Sequence, residues 1–241
     1  MTLSGKTILI TGAARRLGKQ IALFCAKNGA NIIIHYSSSE QEALETKATI
    51  TALGRDCWAI QANLNDNAAI VRMFDEASRF SNIDALVNNA SIFKPLGMLD
   101  TRIEDWDNHL RVNLTAPFLL TQSFARHYAG DEVGRIINLV DWRALRPGKD
   151  HFSYSISKAG LVALTKASAL SLAPRITVNA VALGAILPPE NETVSPDLLK
   201  YVPMKRWATI EEFLSTINFL LDGPEYITGE VIHLDGGRHL V

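Results

Sequence analysis

Residues 6–27 read KTILITGAARRLGKQIALFCAK, and the fold follows from the way this stretch changes its period. Lys6–Thr11 is a short β-branched run of the kind that forms a strand. Thr11-Gly12-Ala13-Ala14-Arg15-Arg16-Leu17-Gly18 follows, and Lys19–Lys27 then carries a helical pattern. Gly12 permits a tight turn, and Gly18 lets the helix approach the sheet closely. The start of such a helix presents free N–H groups and a positive dipole end, which suit a pyrophosphate. Strand, glycine turn and helix in that order form the context a dinucleotide-binding motif requires. A plain strand-to-helix turn is the alternative reading.

Outward from this stretch, strands and helices keep alternating. Asn31–Tyr36, Asp56–Gln61, Ile83–Val87, Arg135–Val140, Arg175–Val181 and Glu230–Leu234 read as further strands. The segments between the first six are long enough for crossover helices, which predicts an α/β fold with one parallel sheet covered on both faces. Capping boxes are expected at Ser39 with Glu42, Thr101 with Glu104 and Thr209 with Glu212. No repeat, low-complexity tract or linker interrupts the chain, so 1–241 reads as a single domain. The stretch from Gly184 to Ala208 lacks periodicity and holds Pro188, Pro189, Pro196 and Pro203. A loop of that length is usually functional, and it is expected to act as a substrate lid.

Composition narrows the class. The 241 residues are 47% hydrophobic and 20% charged, with a net charge of −1 and no block of one sign. This is globular composition with no nucleic-acid or membrane-surface signature. The first apolar run is too short for a signal peptide, and no run approaches a spanning helix, so a cytoplasmic protein is expected. Cys25 and Cys57 read as buried reduced thiols. The six histidines show no metal-site spacing, and no metal is expected.

Charge also bears on which dinucleotide would bind. A site for NAD usually places an acid at the end of the second strand, on the ribose hydroxyls. Here that strand ends His35-Tyr36-Ser37-Ser38-Ser39, and the first acid, Glu40, already belongs to the next helix. Ser37 and Ser38 offer hydroxyls, and Arg15 or Arg16 offers positive charge beside the glycine turn. A 2′-phosphate fits this better than a bare ribose, so NADP(H) is predicted.

Tyr154 and Lys158 stand one helical turn apart and share a face. A nearby ammonium favours phenolate and is expected to bring the tyrosine pKa down toward neutrality, which suits proton transfer. Pro117 lies four residues after Asn113 and lacks an N–H, so in a continuous helix the Asn113 carbonyl would be left free to hold a water near Lys158. A simple kink with no mechanistic use is the alternative.

With these pieces in place, the chain resembles the short-chain dehydrogenase/reductase family over essentially its whole length. The matching residues are the TGAARRLG turn, Asn88-Asn89-Ala90, Asn113, Tyr154-x-x-x-Lys158 and Leu234-Asp235-Gly236-Gly237. The resemblance implies a single-domain Rossmann fold, with a doubly wound seven-stranded parallel sheet and helices on both faces. It implies that Tyr154 is the acid/base, that Lys158 binds the nicotinamide ribose and polarises Tyr154, and that Asn113 supports a water-linked proton relay. Cofactor contacts are implied for Gly12, Arg15, Arg16, Leu17, Gly18, His35, Tyr36, Ser37, Ser38, Asn63, Leu64, Asn89, Ala90, Ser91, Tyr154, Lys158, Gly184 and Ile186. A homotetramer is the family expectation.

Departures from the family pattern point to a subgroup. Asp141 stands where the family usually has serine, and Arg16 replaces the middle glycine of the first turn. Leu183-Gly184 replaces a frequent Pro-Gly, and Asn63 an acid after the third strand. The first two changes occur together in pteridine reductases and dihydromonapterin reductases, which this chain also resembles at Asn88–Phe93 and at its Gly-Arg-His ending. A dihydropterin is reduced at a ring C=N bond, so a ring nitrogen must gain a proton. A buried carboxyl such as Asp141 can donate or relay it. The alternative is a structural carboxylate paired with Arg143 or Arg146. By resemblance Phe93 stacks on the flat substrate, and Arg16, Ser91, Asp141 and Tyr154 complete its site. Trp142, Tyr201 and Trp207 could wall the pocket or simply pack. The leading expectation is an NADPH-dependent dihydropterin reductase acting on a small-molecule pterin. A reductase of 3-oxoacyl or other carbonyl groups and a non-catalytic NADP(H)-sensing module remain as alternatives.

Overall fold

Residues along the strands alternate between two apolar cores. In β1 (Thr7–Ile10), Ile8 and Ile10 join one cluster and Leu9 the other. In β2 (Asn31–Tyr36), Ile32 and Ile34 part from Ile33 in the same way. Such two-sided burial is what continuous β-branched runs need, because each face must find a cover. The computed structural model describes residues 3–187 and 196–241. Five further strands complete the sheet: β3 (Cys57–Gln61), β4 (Ala85–Asn88), β5 (Gly134–Asp141), β6 (Ile176–Leu183) and β7 (Val231–Leu234). All pairings are parallel, in the order β3-β2-β1-β4-β5-β6-β7.

Helices α1 (Arg16–Lys27), α2 (Glu40–Ala52), α3 (Asn67–Phe80), α4 (Ile103–Leu110), α5 (Ala116–His127), α6 (Phe152–Leu172) and α7 (Ile210–Asp222) cover both faces. Ile21 and Cys25 of α1, Ile50 of α2 and Phe213 of α7 pack in the first core; Phe74 of α3 and Phe124 of α5 pack in the second. The single-domain, doubly wound, seven-stranded Rossmann-like fold expected from the sequence is therefore the one observed. The strand order reverses between β1 and β4, and in open sheets of this kind ligands bind beyond the carboxyl ends of the strands at that point.

Several local expectations change. The box at Thr209 and Glu212 forms, with both reciprocal bonds present. Ser39 makes no capping bond; Arg102 rather than Thr101 stands at the N-cap position of α4, also without a capping bond, and the Thr101 hydroxyl donates to the Gly97 carbonyl at 2.7 Å. β5 runs one residue beyond its expected end, which makes Asp141 the last residue of a central strand. Of the expected lid, residues 188–195, with Pro188 and Pro189, lie outside the described residues, and Pro196–Tyr201 forms a 3₁₀ turn. Cys25 and Cys57 are buried and unpaired, and burial pushes both thiols up to about 12. No helix among the described residues is long and apolar enough to cross a membrane.

Candidate active site

The glycine turn is assembled by residues from three strands. Thr11 N–H donates to the Val87 carbonyl at 3.0 Å, and the Thr11 hydroxyl accepts from the Asn89 and Ala90 N–H groups at 2.9 and 3.0 Å. The Asn89 amide donates to the Thr11 and Gly12 carbonyls at 2.7 and 3.1 Å. Gly12 sits at φ +63°, and a Cβ there would stand 3.1 Å from Ala90 Cα. A Cβ on Gly18 would overlap the Gly12 carbonyl oxygen and come within 2.6 Å of Asn89 Nδ2. Helix α1 begins at Arg16 with no side-chain cap and no acid in its first turn. The N-cap side chain takes none of its leading N–H groups, and the cradle fits an anionic group such as pyrophosphate. Arg16 adopts φ +52°, so an arginine holds the left-handed conformation that glycine adopts most readily.

His35 takes a place that the sequence did not reveal. Its ring is buried, with Nδ1 accepting from Gly12 N–H at 3.1 Å and Nε2 facing the Ala62 carbonyl at 3.1 Å. Both ring nitrogens are engaged by protein, so the side chain braces the glycine turn rather than reaching a ligand. Burial lowers its pKa to about 4, against a weaker opposing pull from Ala62. The end of β2 otherwise presents Tyr36 and the exposed Ser37 and Ser38, with Glu40 drawn onto the Tyr36 hydroxyl. Asn63 is exposed beyond β3, and its side chain accepts from Asn65 N–H at 3.0 Å, while Leu64 is buried in the core. Gly184 is needed for contact, since a Cβ there would meet Asp235 Cα at 2.6 Å. The Ile186 side chain is buried in the first core, which leaves only its backbone for a ligand.

Asp141 and Tyr154 meet where β5 ends and α6 begins. The Tyr154 hydroxyl donates to Asp141 Oδ2 at 3.2 Å. Asp141 Oδ1 accepts from Arg143 N–H at 2.8 Å and lies 3.8 Å from the Arg143 guanidinium. One oxygen thus serves the turn and the other faces the phenol. Burial raises the Asp141 carboxyl above its ordinary range, with Arg143, Lys158 and Tyr154 opposing more weakly.

Lys158 does not lower the tyrosine as expected. Its ammonium donates to the Leu139 carbonyl at 2.7 Å and lies 5.8 Å from the Tyr154 ring centroid. Tyr154 is instead raised well above 10, by burial first and then by the carboxylate of Asp141. Lys158 itself is lowered to about 8 by burial, partly offset by Asp141. Burial thus pushes both the phenol and the carboxyl toward their protonated forms.

Asn113 organises the wall facing this pair. It lies in a π turn (Arg111–Thr115) between α4 and α5, where Ala116 N–H reaches back five residues to the Arg111 carbonyl. Pro117 cannot donate four residues back, and the ladder widens there instead of simply kinking. The Asn113 side chain accepts from Ile92 N–H and the Ser91 hydroxyl, and donates to the Ile92 carbonyl and Ser157 hydroxyl, all at 2.9–3.2 Å. Phe93 follows on that loop, half exposed, with its ring edge-on to Tyr154 at 4.6 Å and stacked on His151 at 4.0 Å. His151, at φ +55° and bonded to Asp150 at 2.9 Å, is a neighbour that sequence reasoning missed. The guanidiniums of Arg143 and Arg238 each lie over the Trp142 ring at 4.7 Å, and Arg238 also covers Tyr201 at 5.0 Å. Trp207 makes no ring contact of this kind among the described residues.

Residues 12–239 match a family described as enoyl-(acyl carrier protein) reductase. A 3-oxoacyl-[acyl-carrier-protein] reductase of Synechocystis is 35% identical over 240 residues, covering 98% of this chain and 97% of the relative. Among solved structures, FolM alternative dihydrofolate reductase 1 from Brucella canis, complexed with NADP, superposes with a TM-score of 0.88 at 33% identity, covering 100% of this chain and 97% of that one. A short-chain dehydrogenase/reductase from Serratia marcescens does so with a TM-score of 0.92 at 34% identity, covering 99% and 100%.

Proposed function

We propose that this chain, which belongs to the short-chain dehydrogenase/reductase family, is an NADPH-dependent reductase of dihydropterins. The observation that carries the reading is the contact between the Tyr154 hydroxyl and a buried carboxyl, Asp141, at 3.2 Å. Carbonyl reduction asks only that one oxygen be oriented and protonated, which a serine and a tyrosine can manage. Reduction of a ring C=N bond asks for a proton on nitrogen, and a buried acid next to the phenol is suited to supply it.

The glycine cradle, the start of α1 and the serines after β2 would hold NADP(H), with Arg15 or Arg16 beside the 2′-phosphate. The backbone about Asn89–Ser91 and Gly184–Ile186 would line the same cleft. The relative from Brucella canis is complexed with NADP, which supports this choice. When bound, NADPH would supply the hydride for the carbon of the C=N bond. Tyr154 and Asp141 would deliver one proton to the adjoining nitrogen, with solvent restoring it. Lys158, fixed on the Leu139 carbonyl, would hold the nicotinamide ribose. The Asn113 carbonyl would hold a relay water. Phe93, Ser91 and Arg16 would border the substrate ring. A homotetramer is proposed on family resemblance.

A second reading, reduction of 3-oxoacyl thioesters, is favoured by the names of the curated relatives at 35–36% identity. NADPH oxidation with dihydrobiopterin or dihydromonapterin, set against acetoacetyl thioesters, separates the two. Pterins are expected to turn over faster. Asp141→Ser is expected to lower pterin reduction by about 100-fold or more while ketone reduction rises, in line with loss of a general acid. Preferred turnover of the thioester by the unaltered enzyme would establish the second reading instead.

A further inference from the structure

We infer that Arg143, Arg146 and Arg238, gathered around Trp142, form a subsite for an anionic substituent on the substrate. This rests on the dihydropterin reading and narrows it to pterins whose side chain carries carboxylate or phosphate. Trp142 directly follows Asp141, so the indole is tied to the proton-donating end of the cleft. Arg143 lies over it at 4.7 Å and within 5.9 Å of the Phe93 ring, which itself abuts Tyr154. Arg238 takes another approach to the indole, also at 4.7 Å, and donates to the Tyr201 carbonyl at 3.0 Å. Arg146 joins through its backbone N–H on the Trp142 carbonyl at 3.1 Å. The guanidiniums of Arg143 and Arg238 therefore link the stacking ring to the chain's last turn, and Arg146 is near enough to act on Arg238 by its charge.

That last turn is held in place. Buried Asp235 accepts from Gly237 N–H, His239 N–H and the His239 ring at 3.0, 2.9 and 2.7 Å. The turn at Arg238–Leu240 packs on the turn at Trp142–Ala144. Arg238 is thus presented on an ordered backbone. The carboxylates nearby are already used. Asp141 faces Tyr154 and Arg143, and Asp150 is bonded to His151 at 2.9 Å and to Arg143 at 3.4 Å. Among the described residues, neither Arg146 nor Arg238 has a carboxylate at ion-pair distance. Desolvation, then Arg146 and Arg143, all hold Arg238 below its ordinary value. Like charges gathered without enough counter-charge are relieved by an anion, and guanidinium forks bind carboxylate or phosphate in two-point fashion.

The test compares steady-state constants for three substrates: dihydrobiopterin (neutral side chain), dihydrofolate (two carboxylates) and dihydroneopterin monophosphate. Arg238→Gln and Arg146→Gln, at residues outside the proton machinery, are assayed with each. Each variant is expected to raise KM for an anionic pterin by about five- to tenfold, as for loss of one charged contact, with kcat and the dihydrobiopterin constants held within about twofold. Raising the salt concentration should reproduce the effect in the unaltered enzyme. Selective loss with dihydrofolate assigns a carboxylate, and selective loss with the phosphorylated pterin assigns a phosphate. Equal changes with the neutral pterin, or none with either anion, would overturn the subsite while leaving pterin reduction standing. No turnover of any of the three would remove the pterin reading and the subsite with it.

Discussion

Acidification should loosen the glycine turn through one buried imidazole. His35 accepts from Gly12 N–H at 3.1 Å through Nδ1, so its proton sits on Nε2, toward the Ala62 carbonyl. Protonating Nδ1 would set two donors against each other inside the core. The ring is accordingly held at about 4, against an ordinary 6.5. An unfolded chain therefore binds one more proton than the folded one between those values. The stabilisation is complete above about pH 6.5 and is lost as the pH falls toward about 4. At about 1.4 kcal/mol per pH unit, the gap amounts to about 3 kcal/mol. Urea-unfolding free energies measured from pH 7 to pH 4 for the protein and for His35→Asn provide the assay. Asparagine keeps an acceptor near Gly12 but does not titrate. The protein is expected to be the more stable at pH 7, and the difference should shrink by about 3 kcal/mol toward pH 4. Parallel curves, or an imidazole that titrates near 6.5 by NMR in the folded state, would refute the reasoning.

Other outcomes follow from the same contacts. Gly18→Ala would drive a Cβ into the Gly12 carbonyl and against Asn89 and Ala13, all of them close neighbours, so a loss of about 2–3 kcal/mol in unfolding free energy is expected. Arg16→Gly removes a cation but also the left-handed strain at φ +52°. Stability by thermal melt should stay within about 1 kcal/mol, while NADPH affinity by titration falls about tenfold and NADH affinity does not. Lys158 is lowered to about 8, so kcat/KM should decline as the pH rises through that value and the ammonium is lost. A flat profile to pH 10 would remove Lys158 from any role that needs its charge.

What could be read in the sequence was whatever rests on local order. Residues 31–36 give β2 its limits, and the spacing of Tyr154 and Lys158 places both on α6, because a strand's or helix's own period dictates these. Long-range partnership was not legible. His35 reads as a residue near a ligand until Gly12 and Ala62 close around it from 23 and 27 positions away. The direction of the tyrosine shift is hidden from the sequence for the same reason. The sequence puts a lysine one turn away, but folding hands that ammonium to Leu139 and brings a carboxylate to the phenol. Ser39 and Thr101 carry the letters of a cap without the backbone approach that capping needs.

From its widened turn, the amide of Asn113 reaches two other pieces of chain at once: the Ser91–Ile92 loop and Ser157 on α6. Phe93 is thereby gauged against Tyr154 from a single anchor. The distance between the wall that would grip a ring and the group that would protonate it is set by one side chain, like a workpiece clamped to the bed that carries the tool. A change at Asn113 would blur grip and proton delivery together.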